Sequence, residues 1–179
     1  MIIGLDLSLT ATGVAFLASD GTCSTSTLKS APSESEEYRL STCKAQIMEV
    51  LVKIQPSLVV MEGLSFGSND PSAQQRAWLH WAVRLNMWRR TMPFQVVSPS
   101  SLKKFAAGAG NAKKEQMMLE VFKRWNVTAA DNNQADAAAL AYLGATLTGL
   151  RECDNQAQRE VIAKLKAGPV KAKKGRAAA

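Results

Sequence analysis

The chain has 179 residues, 46% of them apolar and 21% charged, a globular composition that excludes wholesale disorder and suits one domain plus an extension, not two full domains. No apolar run approaches the ~18–20 residues that span a bilayer, the start MIIGLDLS lacks the basic flank and long apolar run of a signal peptide, and Cys23, Cys43 and Cys153 form no CxxC; the reading is a cytoplasmic protein with reduced thiols and no Cys/His zinc site. Of the net charge of +7, residues 151–179 supply +5 from eight basic and three acidic side chains, and a basic tail on a nearly balanced body points to a polyanion partner, most simply nucleic acid.

Residues 1–10 alternate, with Ile3, Leu5, Leu7 and Leu9 on one face and Gly4, Asp6, Ser8 and Thr10 on the other, the period of a strand. GVAFLAS (13–19) reads as a second strand, Asp20-Gly21 as a hairpin turn, and the Thr/Ser-rich residues 22–28 as a third, edge strand, so the chain opens as an antiparallel meander. Residues 32–37 look like a helix start with acidic residues in the first turn; Ile47, Val50, Leu51 and Ile54 continue it and Pro56 ends it. LVVM (58–61) is wholly apolar, as in a strand buried on both faces of a parallel sheet, and Glu62 sits where it stops.

The spacing predicts a helix over 72–90 carrying Trp78, Trp81, Leu85 and Trp88, then a buried strand FQVVS (94–98) and a short helical turn SLKKF. After the break at residues 108–111 a helix over 112–125 is expected to turn Met118, Val121, Phe122 and Trp125 inward. Residues 131–150 form an Ala-rich helix, a weak helical stretch follows to about Ala167, and GPVKAKKGRAAA reads as disordered. The order defines an α/β fold: a mixed five-stranded sheet, meander first and parallel strands after, with helices on both faces, in a domain over residues 1–150 followed by a basic extension over 151–179.

Four carboxylates stand where element ends are expected: Asp6, Glu62, Asp131 and Asp136. Acids converging on one crevice repel unless a cation lies between them, and hard oxygen ligands without a His or Cys cluster suit Mg²⁺ or Mn²⁺. The chemistry that fits is phosphodiester hydrolysis with two ions about 3.5–4 Å apart, one activating water and the other stabilising the leaving oxygen. Asp6 also fits a turn network with Ser8, Thr10 and Thr12, and Glu62 an ordinary strand end; Asp131, with Gln134 three residues on, fits a capping box as well as a ligand. Asp136, on an otherwise apolar helix face, is the better ligand candidate because an unpaired buried carboxylate there is costly.

These segments resemble the RuvC-type Holliday-junction resolvases of the RNase H-like superfamily. GLDLSLTATGVA (4–15) is similar to the family's first strand with its catalytic Asp at Asp6, LVVMEGLSF (58–66) to the second motif with its Glu at Glu62, VSPSSLKKFAAGAGNAKKEQM (97–117) to the strand, basic loop and helix that follow, and DNNQADAAALA (131–141) to the last motif with its final metal-binding Asp at Asp136. Bacterial members usually have an acid or His three residues before that Asp, where this chain has Asn133; either Asn133 serves as an oxygen ligand or Asp131 reaches the metal, as in viral members, which the compact size and basic extension also resemble.

The resemblance implies that Lys103 and Lys114 approach the scissile phosphate or junction backbone, with Lys104 and Lys113 extending the patch, and that Phe66 lies near the place of the family's base-stacking aromatic, although it equally suits packing under its own loop. It implies pairing of the 72–90 helix across a homodimer axis, although its Trp-rich stripe also suits burial on the chain's own sheet. The expected activity is metal-dependent cleavage of branched DNA, resolving four-way junctions by paired nicks. A broader nuclease for forks, flaps or RNA–DNA hybrids and a non-catalytic junction-binding protein are the alternatives. An actin-like or sugar-kinase ATPase, which the first loop also resembles, needs a second domain that 179 residues do not supply.

Overall fold

A computed structural model of the chain describes residues 1–31, 35–64 and 73–168. The elements are β1 (Ile2–Asp6), β2 (Ala11–Leu17), β3 (Cys23–Lys29), α1 (Glu36–Ile54), β4 (Leu58–Glu62), α2 (Ala73–Arg89), β5 (Phe94–Val97), α3 (Pro99–Ala107), α4 (Lys114–Trp125), α5 (Asn132–Leu147) and α6 (Gln156–Lys166). The five strands lie in the order β3-β2-β1-β4-β5. The first three pair antiparallel, whereas β4 runs parallel to both β1 and β5. This is the expected mixed sheet. The β2–β3 turn closes through Gly21 at φ 89° and the Asp20 carboxylate, which accepts from Thr22 N at 2.9 Å.

Alternation along the strands divides the core in two. Ile3, Leu5, Val14, Val59 and Met61 face α1 and α2, while Ile2, Ala15, Val60 and Val97 face α3, α4, α5 and α6. Helix α5 lies close on the second face because the sheet has no side chains under it at two points. A Cβ on Gly4 would meet the Ala137 carbonyl oxygen at 1.9 Å, and one on Gly13 would meet the Asn133 carbonyl oxygen at 2.1 Å. Further along, Gly144 of α5 itself passes over Ile2 and Val60.

Two helices differ from expectation, and a third decides between two readings of its apolar stripe. In α4 the buried row is Met117, Val121 and Trp125, and Phe122 is 51% exposed. The i, i+4, i+8 row brings Trp125 into a stack with Tyr142 (centroids 4.5 Å apart) and Phe105 (6.0 Å), and Phe122, a quarter turn behind Val121, falls outside it. In place of a turn, α3 is a nine-residue helix, with Ser98 as N-cap, Pro99 in its first turn and Gly108 at φ 82° as C-cap. In α2 the face on the core is Leu79, His80, Val83 and Met87, so the Trp stripe does not pack on its own sheet. Beyond Arg151, α6 buries Gln158, Val161 and Ile162 and packs on α3 and α5. Among the described residues no helix is long and apolar enough to cross a membrane.

Candidate active site

The parallel pairing of β1 with β4 puts their C-terminal ends side by side, with Leu5 opposite Met61 and the half-buried Asp6 and Glu62 each the last residue of its strand. Asp136 enters from α5, one residue before Ala137, whose carbonyl lies against Gly4 of β1. The fields of Glu62 and Asp136 both reach Asp6, and that of Asp136 reaches Glu62, so the three acids form one electrostatic unit.

Burial is the main influence on all three. It holds Asp6 well above the usual carboxylate range, with Glu62 and Asp136 pushing the same way. Glu62 rises to about 7 through burial and the neighbouring Asp136, against the opposing pull of Lys103. Asp136 rises to about 6 through burial, offset by Lys103 and Lys114. Lys103 on α3 and Lys114 at the start of α4 are therefore the cations facing the acids. Lys104 turns the other way and pairs with Glu160 of α6 at 2.5 Å. Lys113 is the exposed N-cap position of α4, without a side-chain capping bond.

Asp131 is the N-cap of α5. Its Oδ1 accepts from Gln134 N at 2.8 Å and its Oδ2 from the Thr27 hydroxyl at 3.0 Å. Gln134 completes the anchor to the edge strand: its Oε1 accepts from Thr25 Oγ1 (2.8 Å) and Ala130 N (3.1 Å), and its Nε2 donates to Thr27 Oγ1 (2.9 Å). Asp131 also adds the smallest of the influences on Asp6. Asn133 donates from Nδ2 to the Ala11 carbonyl at 2.7 Å, tying α5 to β2. Ser8, Thr10 and Thr12 form their own turn network, in which Thr12 Oγ1 donates to Ser8 O (2.7 Å) and accepts from Ser8 N (3.1 Å); Asp6 has no part in it. Phe66 lies outside the described residues, as do residues 169–179 of the tail.

A contact the sequence did not announce comes from His80. Its Nε2 lies 3.0 Å from the backbone carbonyl of Glu62, an obligate acceptor, so the proton sits on Nε2. Burial lowers the His80 pKa, keeping the ring neutral. One residue of α2 thus holds the end of β4 at the point where its acid projects. The only signal was a lone His on an otherwise apolar helix face.

The donor chemistry fits a hard divalent cation. Asp6, Glu62 and Asp136 offer only carboxylate oxygens, and among the described residues their carboxyl groups make no hydrogen bond or ion pair. Their mutual repulsion is what a cation would relieve. Among the described residues, no three His, Cys, Asp or Glu side chains are gathered within the reach of a single ion.

Acids at adjacent ends of β1 and β4, with a third from a helix laid across them on a mixed five-stranded sheet, define an RNase H-like nuclease. The family model of the crossover junction endodeoxyribonuclease RuvC matches residues 2–143, and the chain belongs to that family. Its relatives include the RuvC of Rickettsia typhi, 26% identical over 148 residues that cover 79% of this chain and 94% of the relative. The Thermus thermophilus RuvC structure superimposes with a TM-score of 0.63 at 26% identity, covering 78% of this chain and 90% of the other. T. thermophilus RuvC in complex with a Holliday junction substrate gives the same TM-score at 23% identity over 78% and 88% of the two chains.

Proposed function

We propose that this junction endonuclease resolves four-way DNA junctions by paired nicks, as a homodimer, with two Mg²⁺ or Mn²⁺ ions per active site held by Asp6, Glu62 and Asp136. The observation that carries the reading is the group of three half-buried, unpaired carboxylates facing Lys103 and Lys114. The T. thermophilus relative bound to a Holliday junction supports the substrate. The same reading places the protein in the cytoplasm with its DNA.

When bound, divalent ions activate the attacking water and neutralise charge at the scissile phosphate. The chain supplies the rest. Asp6 and Glu62 provide oxygen ligands from two adjacent strand ends, and Asp136 provides a third from α5. Lys103 and Lys114 draw the phosphate toward these acids and offset the charge gathered there. Asp131 serves first as the cap that fixes the start of α5, one and a half turns before Asp136. Asn133, donating to Ala11 O, acts as a tie between helix and sheet and takes the place of the acid or His of bacterial members.

A dimer is supported by the outer face of α2, where Trp81 is 59% and Trp88 69% exposed beside Trp78 and Leu85. An aromatic stripe of that kind, with Arg84 stacked 4.2 Å from the Trp81 ring, has the composition of an interface centre. Two copies paired there carry two sites, as cutting two opposed strands of one junction requires.

The test is cleavage of a synthetic four-way junction with Mg²⁺, beside linear duplex and a three-way fork, with Asp6→Asn as control. Nicks on opposed strands of the four-way junction, lost in Asp6→Asn, are expected. Equal cutting of the fork would replace this reading with a broader branch nuclease, and binding without cutting in either metal would make it a non-catalytic junction binder.

A further inference from the structure

Helix α6 lies beyond the residues that the family model matches, and it packs against α3, the helix that carries Lys103. Between them, next to the loop before α4, runs an open groove of about 200 Å³ lined by Ser100, Lys104, Gly110, Glu160 and Lys164. We propose that this groove is a second phosphate subsite, which holds a backbone phosphate of a DNA arm beside the active site, and that Glu160 takes the phosphate's place while DNA is absent. The inference rests on reading the chain as a DNA nuclease.

The location follows from helix geometry. Lys103 and Lys104 are neighbours on α3, about 100° apart around its axis. The charge of Lys103 reaches Glu62 and Asp136, whereas Lys104 faces α6, so the groove opens on the side of α3 next to the one that faces the acids. A strand of DNA that presents one phosphate to the acids carries further phosphates every few ångströms along its backbone.

The groove's charges suit a phosphate. Lys164 follows Glu160 by four residues on α6 and lines the same groove, yet among the described residues it forms no ion pair. Lys104 is satisfied by Glu160, but both side chains are open to water, 40% and 48% exposed. Such a solvent-exposed pair is weak, so an incoming phosphate that also releases counterions can take Lys104 over. Gly110 forms the wall opposite α6: a Cβ there would lie 3.2 Å from the Ser100 carbonyl, so glycine lets this loop approach α3 and leaves its backbone bare toward the groove.

Comparison with a charge change on the far face of the sheet sets this proposal apart from general surface charge. Removing the Glu160 carboxylate frees Lys104 and deletes a competitor for the phosphate, so Glu160→Gln tightens DNA binding. Removing Lys164 weakens it. Both act alike on junction and duplex, because phosphate contacts position DNA without reading its branching or sequence.

The experiment measures binding of the full chain to a fluorescent four-way junction and a fluorescent duplex by anisotropy, in EDTA, over a series of salt concentrations. Lys164→Ala is expected to weaken binding to both DNAs by about three- to tenfold and to lower the slope of log K against log salt by about 1. Lys164→Arg is expected to retain wild-type binding. Glu160→Gln is expected to tighten binding by about two- to fivefold and to steepen the slope. Lys53→Ala, on α1 across the sheet, serves as the charge-matched control and is expected to change neither. Wild-type slopes in both Lys164→Ala and Glu160→Gln, or weaker binding in a Glu160→Gln protein whose helical CD and melting match wild type, would overturn the subsite. Wild-type protein that binds neither DNA would instead overturn the nuclease reading, and the subsite with it.

Discussion

Glu62 and Asp136 sit at about 7 and about 6, against usual values of 4.5 and 3.8, because burial penalises their charged forms. Between the usual and the raised values the folded chain holds more protons than the unfolded chain, so stability falls as pH rises through that window. Without metal, the protein is therefore most stable below about pH 4 with respect to these two groups, and its Tm is expected to drop between pH 5 and 8. Asp136→Asn removes one of the groups and is expected to raise the metal-free Tm at pH 8, by about 1–2 kcal/mol of stability, with about half that gain at pH 5 and little below about pH 4. Mg²⁺ or Mn²⁺, which needs ionised ligands, is expected to stabilise the wild type more at pH 8 than at pH 5. Scanning calorimetry at the two pH values, with metal and with EDTA, checks all three. A Tm that rises from pH 5 to pH 8 in EDTA would contradict the account of the acids.

At this scale the sequence was informative about residues that break a pattern. Asp6 and Glu62 end apolar strands, and Asp136 interrupts an apolar helix, so each was conspicuous. Direction was hidden. Lys103 and Lys104 are identical side chains side by side, distinguished in the sequence only by the family resemblance, and it is the placement of α6, with Glu160 facing Lys104, that shows which way Lys104 turns. Asp131 was legible as both cap and ligand, and the hydroxyl of Thr27, 104 residues away, shows how fully it is engaged as a cap.

Among the elements, α5 has most influence on the site, since its position sets where Asp136 lies relative to Asp6. That position depends on the absence of side chains at Gly4 and Gly13, where the helix backbone comes closer than any Cβ would allow. Gly13→Ala is expected to push the first turn of α5 off β2 and break the Asn133–Ala11 bond. The expected cost is about 3 kcal/mol, or a fall in Tm on the order of 10 °C for a chain of this size, together with loss of cleavage. Urea unfolding and junction cleavage measured on the same preparation test this. Unchanged stability would mean that the helix does not need the close approach.

Element order and type were legible from period and punctuation: alternation in β1, the apolar run of β4, and Pro56 after α1. Helix faces were less so. In α4 the aromatic partners Phe105 and Tyr142 choose Trp125, and Phe122 falls outside the row although its spacing from Val121 and Trp125 suits a buried helix face. In α2 the larger apolar residues lie outside and Leu79, Val83 and Met87 inside. Hydrophobicity alone assigns that helix the wrong inner face. The exception makes sense when the outer face has a partner of its own.

At the scale of the whole molecule the proposed dimer joins these parts, because α2 presents its Trp stripe outward and His80 inward to the carbonyl of Glu62. Trp81→Glu places a charge at the centre of that stripe and is expected to give a monomer in sedimentation velocity. Its core is untouched, since Trp81 is 59% exposed, so its Tm at low concentration is expected to stay near that of wild type.

The most direct test of resolution by paired nicks uses a supercoiled plasmid that extrudes a cruciform. Two cuts within the lifetime of one complex release linear DNA, whereas independent cuts relax the cruciform after the first nick and leave an open circle. With Mg²⁺ the wild-type chain is expected to yield linear product from the start of the reaction, and Trp81→Glu mainly open circles. Open circles alone from the wild type, or no cutting at all, would contradict the account.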